Sequence, residues 1–333
     1  MIIQLNPTAT QEQRLELDAS LSQIGYVPNP VTTSDGAYLV CIGKKEFDIR
    51  LIGNLPAVKD VHRVKDAYKL VSRSWKVHPT TIDLGDGLMI GDGSLCLMAG
   101  PCSIENEIQV ETILKHLNAQ GVKVMRGGVY KPRTSPYAFR GMGIEGLKMF
   151  SDLAKQYGIR IITEVMQVEQ VEAMEPYTDI FQVGARNSQN FNLLDSLGQV
   201  GKPVLIKRAL SGTLEELLQS AEYVFSRGNE KLILCERGIR TFETAYRNTF
   251  DINAIPILKE KSHLPVVADP SHGVGVRRHV APIALAAAAA GADGILLEIH
   301  PEPEKAASDG QQTLDFEESA KLFGQLAVLR RLS

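Results

Sequence analysis

The sequence predicts an α/β protein: a closed (β/α)8 TIM barrel preceded by a small α+β domain. Three observations lead there. From Leu95 onward, eight short apolar segments alternate with eight segments of helical length, and that count over about 240 residues is the arithmetic of such a barrel. The first 63 residues have a different rhythm. The chain is 333 residues long and 44% hydrophobic, enough apolar material for a large core and a minor module.

Met1–Asn6 opens as an apolar strand, and Thr10–Ile24 carries Leu15, Leu17, Leu21 and Ile24 near helical spacing. Tyr26–Thr32 and Ala37–Cys41 are extended segments joined at the turn signal Ser34-Asp35-Gly36. A short helix near Asp48–Leu55 and a strand at Asp60–Val64 complete the order βαββαβ, the ferredoxin-like pattern. A connector runs from Lys65 to about Pro79, and Thr81–Gly93, dense in glycine, reads as a β-hairpin. The expected boundaries are 1–63 for the small domain, 64–94 for the linker and hairpin, and 95–333 for the barrel.

The barrel strands are expected at Leu95–Ala99, Val122–Arg126, Arg160–Glu164, Ile180–Val183, Pro203–Lys207, Leu232–Cys235, Pro265–Ala268 and Gly294–Glu298. They are short and rich in branched apolar residues, as parallel strands covered on both faces must be. Helices fill the gaps, from Glu105–Gln120 to Phe316–Leu332. An open doubly wound sheet competes, but it usually carries a glycine-rich phosphate turn after its first strand, and Gly100-Pro101-Cys102-Ser103 does not fit that turn.

Composition excludes several function classes. A net charge of −3 leaves no electrostatic footprint for nucleic acid or an anionic membrane. No apolar run approaches the length of a membrane span, and no secretory leader is apparent. Cys41, Cys96, Cys102 and Cys235 are scattered, without a C-x-x-C pair. The expectation is a cytoplasmic enzyme with free thiols.

Reactive groups of such a barrel sit at the C-terminal strand ends. Two kinds of chemistry meet there. Arg126, Lys131, Arg133, Arg186, Lys207, Arg208 and Arg237 are cations from four strand ends, which suits a ligand with phosphates and a carboxylate. Cys102, His272, Glu298 and Asp309 follow strands one, seven and eight, which are neighbours in a closed barrel. Their mixed sulfur, nitrogen and oxygen donors suit a divalent transition ion better than magnesium or calcium. Each residue alone has a plainer reading. Cys102 fits a half-buried inert thiol, Glu298 a partner for a rim cation, and His272 a bond to its own loop. A phosphate-binding regulatory protein would use the same cations without that quartet, and an adaptor would need neither set.

Taken together, Gly100-Pro101-Cys102-Ser103, Lys131-Pro132-Arg133-Thr134-Ser135, Gly184-Ala185-Arg186 with Gln189-Asn190, Lys207-Arg208 and Asp269-Pro270-Ser271-His272 resemble the type I DAHP (3-deoxy-D-arabino-heptulosonate 7-phosphate) synthases. The resemblance covers Leu95 to the C-terminus, and the N-terminal segment resembles a subgroup with a ferredoxin-like regulatory domain. It implies condensation of phosphoenolpyruvate with erythrose 4-phosphate, the first step of the shikimate pathway. It implies one divalent metal ion, manganese, iron, cobalt or zinc, on Cys102, His272, Glu298 and Asp309. It implies phosphoenolpyruvate contacts from Arg126, Lys131, Ala185, Arg186, Lys207 and Arg237. Arg133, Thr134 and Ser135 would receive the sugar phosphate. Cys102, His272 and Lys131 would be the catalytic residues, with Lys131 a proton donor whose pKa the surrounding cations push down. A phenylalanine or tyrosine effector at the small domain and a homotetramer are also implied. The neighbouring family, 3-deoxy-D-manno-octulosonate 8-phosphate synthase, uses arabinose 5-phosphate. The loop Lys131-Pro132-Arg133-Thr134-Ser135 and the extra N-terminal segment favour the four-carbon sugar over it.

Overall fold

The computed structural model describes residues 1–131, 137 and 139–330. Four strands, β1 (Ile2–Leu5), β2 (Val27–Thr33), β3 (Gly36–Ile42) and β4 (Val58–His62), form an antiparallel sheet in the order β2-β3-β1-β4. Helices α1 (Gln11–Gln23) and α2 (Arg50–Gly53) accompany it, as the βαββαβ reading requires. Thr10 caps α1: its hydroxyl accepts from the Gln13 amide while the Gln13 side chain returns to the Thr10 amide. Leu17 and Leu21 of α1 pack on Ile3 and Leu39 of the sheet.

Strands β5 (Ile82–Asp83) and β6 (Met89–Ile90) form the hairpin. Eight parallel strands then close into the barrel: β7 (Cys96–Gly100), β8 (Val124–Arg126), β9 (Arg160–Val165), β10 (Ile180–Val183), β11 (Val204–Lys207), β12 (Leu232–Glu236), β13 (Val266–Ala268) and β14 (Gly294–Glu298). The closing pair is β14 with β7, where Glu298 lies opposite Gly100. Around it run α3 (Glu107–Ala119), α4 (Gly143–Gln156), α5 (Val168–Met174), α6 (Phe191–Leu197), α7 (Leu214–Ser226), α8 (Ala254–Lys261), α10 (Arg277–Ala289) and α11 (Phe316–Arg330). The sequence reading missed α9 (Pro270–Val274), a single turn directly after β13. Asp-Pro-Ser-His looks like a loop, yet a proline is compatible with a first helical turn and Asp269 accepts from the His272 amide as its cap.

Side chains alternate along a strand, and this pleat sorts the barrel into layers. Met98, Val124, Ile162, Ile180, Leu205, Ile233, Val267 and Leu296 fill the interior. Ile82 and Ile90 of the hairpin join that cluster and plug its lower end. Two residues further along the same inward faces come Arg126, Glu164, Gln182, Lys207, Asp269 and Glu298, all buried. The top of the barrel is therefore a charged layer standing on an apolar one.

The small sheet is joined to the barrel through the connector. Glu222 of α7 accepts from the amides of Leu70 (2.9 Å) and Val71 (3.1 Å). The Trp75 indole donates to the Leu70 carbonyl at 2.8 Å and meets Tyr38 of β3 on one side and His263 of the barrel on the other. Among the described residues no helix is long and apolar enough to cross a membrane.

Candidate active site

The loops above the charged layer bring Cys102, His272, Glu298 and Asp309 together, with one ligand atom from each lying within 4.8 Å of the others. A metal at ordinary bond lengths of about 2.0–2.3 Å separates its ligand atoms by no more than about 4.6 Å. The quartet, spread over up to 4.8 Å, is close to the size of a coordination shell and slightly wider than one, and its donors fit the ion expected from the sequence. Cys102 Sγ lies 3.0 Å from Asp309 Oδ2, and His272 Nε2 lies 3.4 Å from Glu298 Oε1. Behind the imidazole, Nδ1 lies 2.8 Å from Asp269 Oδ2, off the line of a hydrogen bond. A carboxylate there orients a ligating histidine from the far side.

Burial pushes the Cys102 thiol up to about 11, with Glu298 adding to the effect. Burial also lowers His272, against the opposing pull of Asp269 and Glu298. Burial alone would raise Asp309 and Glu298, yet both are lowered, with His272 the first charge acting on each and Arg126 the next on Glu298. Asp309 holds a left-handed backbone conformation (φ 53°), uncommon for a residue other than glycine.

Beside the quartet opens a cavity of about 300 Å³, at the lower end of the range for small-ligand sites. Its walls carry Lys131, Arg186, Lys207 and Arg237 with Glu164 and Ala185, and they include His272 and Asp309. The cations named from the sequence do not all face it. Arg126 is buried beneath, donating to Glu298 Oε1 (2.9 Å) and the Pro101 carbonyl (2.7 Å), so it braces a member of the quartet. Arg208 turns outward to Glu236, Asp251 and the Gly212 carbonyl. Glu236 is fully buried in that pairing, accepts the Gly238 amide and does not line the cavity. Arg133, Thr134 and Ser135 lie outside the described residues. Asn190 caps α6, and Gln189 donates to Glu216.

Lys131 corrects an expectation. Its Nζ donates to Cys102 Sγ and to the Cys102 carbonyl, both at 3.0 Å. Burial would lower its pKa, but Cys102, Glu164 and Glu298 outweigh burial and Arg126, and the pKa is raised. The acids packed around Lys131 come from strands distant in sequence, so a count of nearby cations pointed the wrong way. Lys131 is a fixed ammonium.

Sequence reading missed Arg240, Arg247 and Asn248, which also line the cavity. All three lie on the long connection between β12 and α8, and the length of that connection was the available signal. Asp269 was read as part of a motif without a role; it holds Lys207 Nζ at 2.5 Å as well as facing His272.

Comparison with known proteins agrees with this geometry. The family model described as "DAHP synthetase I family" matches residues 76–330. A phospho-2-dehydro-3-deoxyheptonate aldolase of Thermotoga maritima is 51% identical over 276 residues, 83% of this chain and 81% of that protein. A 2-dehydro-3-deoxyphosphooctonate aldolase of Syntrophobacter fumaroxidans is 34% identical over 265 residues, 74% of this chain and 91% of that protein. The crystal structure of a Thermotoga maritima phospho-2-dehydro-3-deoxyheptonate aldolase superposes with a TM-score of 0.80 at 44% identity, covering 99% of this chain and 97% of that one. A truncated form of 3-deoxy-D-arabino-heptulosonate 7-phosphate synthase from the same organism gives 0.75 at 47% identity over 80% of this chain and 97% of that one. With its barrel, its quartet and these relatives on one side, the chain belongs to the DAHP synthetase I family.

Proposed function

We propose that the cavity condenses phosphoenolpyruvate with erythrose 4-phosphate to give DAHP and inorganic phosphate. One observation carries the reading: of four mixed-donor ligand residues with atoms within 4.8 Å of one another, His272 and Asp309 line the same cavity as Lys131, Arg186, Lys207 and Arg237. Carbon three of phosphoenolpyruvate attacks the aldehyde carbon, water adds at carbon two, and the hemiketal phosphate breaks its C–O bond to release phosphate. One water enters and one phosphate leaves, so the atoms balance.

Arg186, Lys207 and Arg237 hold the carboxylate and phosphate of phosphoenolpyruvate, since guanidinium forks grip such groups bidentately. Among the described residues Arg186 and Arg237 have no carboxylate within salt-bridge distance, which leaves them to an anionic ligand. Holding both reactants in one orientation removes much of the entropic barrier. Lys131 stands between the cation wall and the quartet and serves as a charged contact to substrate. Glu164, whose Oε2 accepts from Gln182 at 3.2 Å, is the group placed to hold the attacking water. The loop from Lys131 to Ser135 receives the sugar phosphate. A divalent ion on Cys102, His272, Glu298 and Asp309, manganese, iron, cobalt or zinc, would supply Lewis acidity toward a carbonyl oxygen.

Residues 1–63 form the regulatory unit in this reading, with phenylalanine or tyrosine restraining the barrel from there. The apolar face of Leu285, Ala289 and Val328 on α10 and α11 supports assembly into a homotetramer, which light scattering tests. The function is tested by measuring phosphate release from the two substrates with and without chelator. Turnover with arabinose 5-phosphate and none with erythrose 4-phosphate would transfer the assignment to the octulosonate enzymes. Removal of residues 1–63 should abolish inhibition by an aromatic amino acid and leave turnover; an unchanged inhibition curve would refute the regulatory role.

A further inference from the structure

Each carboxylate of the quartet has one oxygen turned into the cluster and one turned away from it. Glu298 Oε1 faces His272 and Arg126, while Oε2 accepts from the Gln312 side-chain amide at 2.6 Å. Asp309 Oδ2 faces Cys102, while Oδ1 accepts from Arg247 Nη1 at 3.1 Å. The two outward oxygens are linked, because the same Arg247 nitrogen donates to Gln312 Oε1 at 2.7 Å. Gln312 thus bridges an anion and a cation with the two ends of one amide.

Nothing about Gln312 is incidental to this position. It is fully buried, and its backbone amide donates to the Asp309 carbonyl at 3.2 Å, so it closes the same turn that presents Asp309. An amide is the side chain that this place requires. Its NH2 meets the Glu298 carboxylate and its oxygen meets the Arg247 guanidinium, so its orientation is set by charge at both ends. A carboxylate at 312 would lie against Glu298, and an apolar chain would leave a buried oxygen of Glu298 without a donor.

We propose that Gln312 is a positioning residue for the metal site: by fixing the outer oxygens of Glu298, and of Asp309 through Arg247, it sets how strongly the quartet holds its ion. The proposal rests on the reading of the quartet as a metal site. Groups that orient metal ligands typically change metal affinity by about 10–100-fold when removed. Among the described residues the other hydrogen-bond donor to the Glu298 carboxylate is Arg126, on its inward oxygen, so loss of Gln312 frees the carboxylate to rotate.

Cobalt(II) is the probe, because its visible bands report ligand geometry and its sulfur charge-transfer band reports Cys102. Gln312→Met keeps the volume and loses both hydrogen bonds; Gln312→Asn keeps the amide but is one methylene too short to make both. Cobalt affinity of the full-length protein is measured by chelator competition, with no turnover required. The expected result is affinity weakened at least tenfold in Gln312→Met, with altered d–d bands and a retained sulfur band. Gln312→Asn should weaken in the same direction, and it decides the matter if Gln312→Met does not fold. Affinities within twofold of the parent protein in a folded variant would overturn the proposal. A parent protein that binds no cobalt would overturn the metal reading and this proposal with it.

Discussion

Acidification should weaken the join between the small sheet and the barrel at one residue, His263. Its ring is buried, Nε2 donates to the Leu70 carbonyl at 2.8 Å, and Nδ1 pairs with the Thr80 hydroxyl at 2.7 Å. Burial, reinforced by Lys76 and Arg73, holds its pKa down at about 4, against 6.5 for a free histidine. The folded chain therefore keeps His263 neutral where the unfolded chain takes up a proton. Stability from this residue is complete above 6.5 and is lost as the pH falls from 6.5 toward 4. At about pH 5 the protonated form is favoured in the unfolded state by a factor of about 30, which corresponds to about 2 kcal/mol relative to neutral pH. Trp75 is the sole tryptophan and its ring centroid is 5.9 Å from that of His263, so intrinsic fluorescence follows this junction. Urea unfolding of the parent and of His263→Gln at about pH 7 and about pH 5 makes the measurement, since histidines elsewhere contribute equally to both proteins. The variant starts less stable but should lose about 2 kcal/mol less on acidification. Parallel losses in the two proteins would refute the assignment of a neutral, buried His263.

Three further outcomes concern the site. Because burial holds the Cys102 thiol near 11, a divalent ion that takes the thiolate must displace a proton, and apparent cobalt affinity should rise about tenfold per pH unit; a flat profile would show that sulfur is not a ligand. Cys102→Ser should lose the sulfur band and turnover together, and a variant of full activity would remove the metal reading. A methyl group added at Gly184 would come within 2.1 Å of Glu164 Oε1, so Gly184→Ala should displace that carboxylate and lower kcat by at least tenfold with the fold intact; an unchanged kcat would show that Glu164 does not need its place. Arg237→Met should raise the KM for phosphoenolpyruvate by about 10–100-fold, the loss of a charge-assisted contact, and an unchanged KM would take Arg237 out of the binding wall.

The barrel was legible because its strands are covered on both faces and are apolar along most of their length, with charge only near the upper ends: Leu232–Cys235 and Gly294–Glu298 read as strands without any help from their neighbours. The quartet was legible for a related reason, since a strand end is a place that sequence can locate even when the residues meeting there are far apart in the chain. What sequence could not supply was the pairing. Arg126 and Arg186 look alike as strand-end cations, yet one is spent on Glu298 and the other faces the cavity. Arg240, Arg247 and Gln312 sit in irregular segments where no periodicity marks the direction of a side chain. The raised pKa of Lys131 is the same gap in another form, because the groups that raise it, Cys102 first and then Glu164 and Glu298, come from the end of β7 and from β9 and β14.

The pleat shows why those pairings are required. A gathering of strand-end cations suggests that a ligand must neutralise them, but the protein supplies much of the countercharge from the same inward layer. Arg126 is matched by Glu298 and Lys207 by Asp269, both buried, and removing one partner of such a pair typically costs about 3–5 kcal/mol. These pairs fix two acids that have second duties: Glu298 belongs to the quartet, and Asp269 stands behind His272. In the proposed reading the cations that hold these acids in place also brace the quartet, Lys207 doing so while it lines the cavity, and Arg186 and Arg237, which pair with no described carboxylate, are left to the substrate anion. A change of Arg126 should then act on metal affinity first and on the KM for phosphoenolpyruvate second, whereas a change of Arg186 should leave the metal untouched. Measuring both quantities for Arg126→Met and Arg186→Met separates these roles, and equal effects of the two changes on metal affinity would mean that the layer does not divide its cations in this way.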